Sequence, residues 1–146
     1  MAATKVLARG WVLSINTGTY AVPVWTEVKG INTLTFSNSK NDADTTDFNS
    51  DGDMEHMVAS RSREIAVEGF YLEDISTGDR DAGQEACETL AELTGNTSLG
   101  DFKLVSPAAN GKRFYASANI GDVGGGNDDP TSWGVTLTIS GKPTVI

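Results

Sequence analysis

Apolar and polar residues alternate with period two along most of this chain, the pattern of strands with one buried face. Trp11, Leu13 and Ile15 fall on one side before an Asn16-Thr17-Gly18 turn. Tyr20, Val22 and Val24 predict a second strand, with Pro23 placing it at an edge or bulge. Leu34 and Phe36 mark a third, with Thr33 and Thr35 opposite. In the stretch from Glu64 to Leu72, Ile65, Val67 and Tyr71 share one face, and Glu64, Ala66, Glu68 and Phe70 the other. Phe102 and Leu104 lie in a short strand, and Phe114, Ala116, Ala118 and Ile120 in another. Trp133, Val135, Leu137 and Ile139 form the last, with Thr136, Thr138 and Ser140 opposite.

One segment changes period. Ala86, Cys87, Leu90, Ala91 and Leu93 recur at helical spacing, which predicts a helix over 81–94. Asp81 caps its start, with Gln84 in capping-box position, and Gly95 is placed to end it in a left-handed turn. Its outer face carries Glu85, Glu88 and Glu92, so the apolar side belongs against a sheet. About seven short strands and one helix predict a mainly β domain over 1–146, a β-sandwich or partly open barrel with one flanking α-helix. The polar segment 38–60 is too long for an ordinary hairpin connection, and predicts a long extended loop between neighbouring antiparallel strands. Ordering such a loop costs about 1–2 kcal/mol per residue, which predicts mobility until a neighbour covers it.

Composition narrows the function. Net charge is −9, from 20 acids against 11 bases, unlike a surface that grips nucleic acid through clustered Lys and Arg. The acids concentrate at Asp42, Asp44, Asp47, Asp51, Asp53 and Glu55, and again between Glu73 and Glu92. A single cysteine forms no internal disulfide. The first residues lack the apolar run of a signal peptide, and no run is long enough to span a bilayer, so a soluble, unexported chain is expected.

Candidate chemistry is sparse. The only His, His56, sits in the acidic segment, and the only Cys, Cys87, falls on the inner helix face. Neither has the neighbours that nucleophilic catalysis requires, so no enzyme, catalytic residue or cofactor is expected. The Gly124–Asp129 stretch carries acids where a phosphate cradle needs bare amides, and reads as a flexible connection. Asp47, Asn49, Asp51 and Gly52 match the opening of a calcium loop, but Val58 stands where the bidentate Glu belongs, and no metal site is assigned. A calcium- or carbohydrate-binding β-sandwich is the alternative, with Trp25, out of phase with its neighbours, as the exposed ring and Trp11 and Trp133 in the core.

The segment from Asp42 to Gly52, the strand Glu64–Tyr71, the Gly/Asp loop after Asp122-Val123-Gly124, and the strand from Trp133 to Pro143 occur in an order that resembles the tail tube proteins of long-tailed, non-contractile bacteriophages and phage-derived particles. Gene transfer agents and contractile tails hold related tubes. The resemblance implies hexameric rings with a continuous inner β-barrel, stacked into a tube for DNA delivery in a virion tail assembled in the host bacterial cytoplasm. It implies as partners other copies of the chain, tape-measure, distal-tail and tail-terminator proteins, and DNA in transit without specific binding, with no membrane. It places the ring-to-ring contact in the long loop, at Asp42, Asp44, Asp47, Phe48, Asp51, Asp53, Met54 and His56. The small polar residues Ser117, Asn119, Thr136, Thr138 and Ser140 are then candidates for the lumen face, since phosphates pass neutral or acidic walls more freely than basic ones.

Overall fold

The computed structural model describes residues 2–146. Its strands are β1 (Val12–Asn16), β2 (Trp25–Glu27), β3 (Ile31–Asp44), β4 (His56–Phe70), β5 (Gly100–Val105), β6 (Gly111–Ile120) and β7 (Ser132–Val145), with one helix, α1 (Ala82–Ala91), between β4 and β5. All seven strands belong to one antiparallel sheet, in the order β2-β1-β5-β6-β7-β4-β3.

The sheet must curl. β2 and β3 stand at opposite edges, yet only Val28–Gly30 joins them. Six inter-strand gaps would span about 29 Å if flat. The connection reaches at most about 14 Å. The sheet therefore rolls into an open barrel with Leu13, Ile65, Phe102, Phe114, Trp133 and Leu137 inside, all buried. Phe102 and Phe114 stack there at 6.0 Å between ring centres.

α1 closes one side, packing on β6, β1 and β2. Asp81 caps it by accepting from the backbone N–H of Gln84. Gln84 is not the reciprocal half of a capping box. Its side chain is fully buried and donates to the carbonyls of Lys29 and Phe70 while accepting from the N–H of Leu72. One amide thus ties together the edge-to-edge link, the end of β4 and the helix. Gly69 belongs to the same junction, because a Cβ there would overlap the carbonyl oxygen of Gly30.

Four sequence expectations change. The residues around Tyr20, Val22 and Val24 form a loop instead of a strand, and all three are exposed. Asn16 imposes it: its side-chain oxygen accepts from the N–H groups of Gly18 and Val24, replacing ladder bonds. The helix stops at Ala91, so Leu93 lies beyond it and is exposed; Gly95 takes the left-handed conformation, φ 68°, but opens a short 3-10 turn (Gly95–Ser98). Trp11 is 39% exposed at the barrel mouth instead of in the core. The segment 38–60 is an extended arm, but over most of its length it is paired strand, with register from Asn38↔Arg63 to Asp44↔His56. Only residues 45–55 are irregular. Ser39, Lys40, Asn41, Ser60, Arg61 and Ser62 are polar on both faces, so no alternation betrayed the strands.

Candidate functional site

Beyond Glu64, β4 has no pairing with β7, and the hairpin leaves the body as a two-stranded ribbon. Nearly all its residues are exposed. Such ribbons are marginal alone and present free edges. Its tip is nevertheless well organised. Asp47 caps a short 3-10 turn, Phe48–Ser50, accepting from Asn49 N–H while the hydroxyl of Ser50 accepts from Asp47 N–H. Asp44 accepts from the backbone N–H of Thr46, which lowers its pKa. The hydroxyl of Thr46 accepts from Glu55 N–H and donates to its carbonyl, clamping the two strands.

These bonds gather the eight candidate contact residues at one end of the molecule. Asp42, Asp44 and His56 lie on the paired strands, with Asp44 opposite His56. Asp47, Phe48, Asp51, Asp53 and Met54 lie in or beside the turn. Phe48 is 105% exposed and Met54 85%, so the tip offers apolar side chains amid acids. Asp47 is committed to its own turn, and among the described residues no cluster of three metal-ligating side chains converges.

The five candidate lumen residues also come together. Ser117 pairs with Thr138, Asn119 with Thr136 and Tyr115 with Ser140, all on the sheet face opposite the core. The register continues that face through Ala66 and Glu64 on β4 to Thr35 and Ser37 on β3. Over the paired stretch from Ser37 and Glu64 through Thr138 to Asn119 the face is mostly Ser, Thr and Asn with two carboxylates, Glu64 and Glu68, and β6 then reaches Tyr115 and Arg113. Arg113 is already held, its Nε 3.0 Å from Asp101 and its guanidinium 3.8 Å over Tyr20. Lys103 lies 4.7 Å over Trp25.

The three tryptophans do not form a shared platform for a sugar. Trp25 is on the polar face under Lys103, Trp11 is at the barrel mouth beside Leu34 and Phe36, and Trp133 is buried. Cys87 is buried on the inner face of α1, where desolvation pushes its thiol up to about 12, far from a thiolate nucleophile. His56 stands at the exposed end of the ribbon.

One interaction that sequence reasoning missed fixes the helix to β7. Glu88 accepts from Arg80 at 2.6 and 3.0 Å and from the indole N–H of Trp133 at 3.1 Å. Arg80 also stacks 4.1 Å over Tyr71. The Arg80 hydrogen bond, helped by Trp133, holds the Glu88 carboxyl below its usual range against partial burial. A depressed carboxylate contributes stability that is present above its unfolded pKa and is lost as pH falls through the folded value. Thermal unfolding of the wild type is therefore expected to lose more than that of Glu88→Gln between about pH 5 and pH 3. Parallel pH profiles for the two proteins would show that the pair contributes nothing.

No protein-family model matches the chain, and neither does any curated protein sequence. Solved structures do. A chain from the tail of an empty gene transfer agent particle, refined helically with C6 symmetry, is 15% identical with a TM-score of 0.76, covering 97% of this chain and 99% of that one. A chain from the virion of a native gene transfer agent particle is 13% identical, TM-score 0.76, with the same coverage. A chain from the six-fold symmetrised baseplate of the anti-feeding prophage is 8% identical, TM-score 0.61, covering 99% and 97%. At these identities the likeness establishes a shared fold.

Proposed function

We propose that this chain is a structural subunit of a phage-like tail, assembling six to a ring, with rings stacked into a tube that conducts DNA. The observation that carries this is the match to a tail chain of a C6-symmetric particle over nearly the whole of both chains. Its mechanism follows from the two surfaces above. The polar face, whose Arg113 is already paired with Asp101, turns inward, where repeated Glu64 and Glu68 carboxylates repel phosphates and keep the DNA from sticking. Closing the ring pairs sheet edges that would otherwise invite open-ended aggregation. The hairpin arm crosses to the adjacent ring, where Phe48 and Met54 find cover. Tape-measure, distal-tail and tail-terminator proteins complete the particle.

Negative-stain electron microscopy of the purified chain across concentrations tests this. Six-fold rings with a central hole, or tubes built from them, are expected. A chain that stays monomeric at every concentration overturns the proposal.

A further inference from the structure

Where the core ends, the inner face of the sheet continues onto the arm as a cluster of cations. Lys40 and Arg61 face each other directly across β3 and β4, Arg63 follows on the same side, and Lys142 joins Arg61 and Arg63 around a shallow pocket floored by Ile139. Like charges directly opposed across strands are destabilising. Nothing within the chain relieves them: among the described residues the ion pairs are Arg80–Glu88 and Arg113–Asp101 alone. A chain of net charge −9 has thus placed four of its 11 bases together and left them without a counter-charge. Lys40, Arg61 and Arg63 lie on the face opposite to the polar one, so a channel lined by that face does not bring DNA to them.

The complementary surface is on the same chain. Asp51, Asp53 and Glu55 are exposed at the arm's far end, and no ion pair engages them. A chain's own tip cannot fold back to neutralise its own cluster. From Lys40 to Asp44 the paired ribbon runs roughly 13 Å outward, well beyond ion-pair distance. A second copy displaced along the arm has no such restriction. We propose that the acidic tip of one copy docks on the Lys40–Arg61–Arg63–Lys142 cluster of the next. Such a contact joins two different patches, and therefore propagates instead of closing on itself, as a stacked tube requires. It rests on the tube proposal and names the acceptor surface for the arm.

Charge reversal tests it. The triple variant R61E/R63E/K142E and the tip variant D51K/D53K/E55K change exposed or half-exposed side chains, and each is expected to remain folded by circular dichroism. Each is expected to raise the concentration needed for tube growth at least tenfold, with rings still seen by sedimentation and electron microscopy. The six-fold combined variant is self-complementary again and is expected to recover tubes. Raising salt should weaken wild-type stacking, because exposed pairs are screened. Wild-type tubes alongside equally ready tubes from the triple variant would sink the docking proposal and leave the tube intact. A wild type that never assembles overturns both. Tight duplex-DNA binding by the wild type, lost in R61E/R63E/K142E while tubes are unchanged, would mean that the cluster holds nucleic acid.

Discussion

Gln84→Leu is expected to lower the unfolding free energy by about 3 kcal/mol or more, since three partly buried backbone groups lose their partner at about 1 kcal/mol or more each. Leucine nearly matches the volume, so the loss reports hydrogen bonding more than packing. The orphaned groups are the carbonyls of Lys29 and Phe70 and the N–H of Leu72. They lie where the sheet cannot close by strand pairing, because the link between β2 and β3 turns there. A domain of this size holds only about 5–15 kcal/mol in total, so the loss takes a large share of it and lowers the midpoint of thermal unfolding. Chemical denaturation of the two proteins measures the difference. A change within about 1 kcal/mol would mean that water satisfies these groups and that the amide does not hold the junction.

Replacing residues 42–59 by Asn-Gly is expected to leave a folded domain that no longer stacks. Asn41 and Ser60 are paired in register, so a two-residue turn of this type can join them. The removed segment is almost wholly exposed and contributes no residue to the apolar core. The midpoint of unfolding should therefore change little, while tube formation is lost outright and Lys40, Arg61 and Arg63 remain. Tubes of normal length from the shortened chain would show that stacking resides elsewhere.

The contrast between these two variants follows what could be read along the chain. Strands that bury one face were legible, because Ile65 and Val67, Phe114 and Ala116, and Trp133, Val135 and Leu137 must alternate to meet a core. Cys87 was legible as core because its apolar neighbours recur at helical spacing. The arm's strands were not, since a ribbon solvated on both sides needs no alternation. The loop around Tyr20, Val22 and Val24 misled in the opposite way: its apolar residues alternate, but Asn16 holds the backbone in turns. The arm contact was named from the family resemblance and the polar face from alternation, and only the folded chain shows that the members of each are neighbours.

By itself, the sequence determined a mainly β chain, one capped helix, an acidic excess and a surface short of basic clusters along its polar strand faces. These follow from periodicity and charge, which act over a few residues. The tertiary structure decided the rest. It put β2 and β3 at opposite edges and so curled the sheet, turned Gln84 from a capping residue into the tie across that seam, and stood Lys40 opposite Arg61. Those outcomes depend on which strands pair and in what register, a choice made by burying one continuous apolar face and invisible in any short stretch of chain.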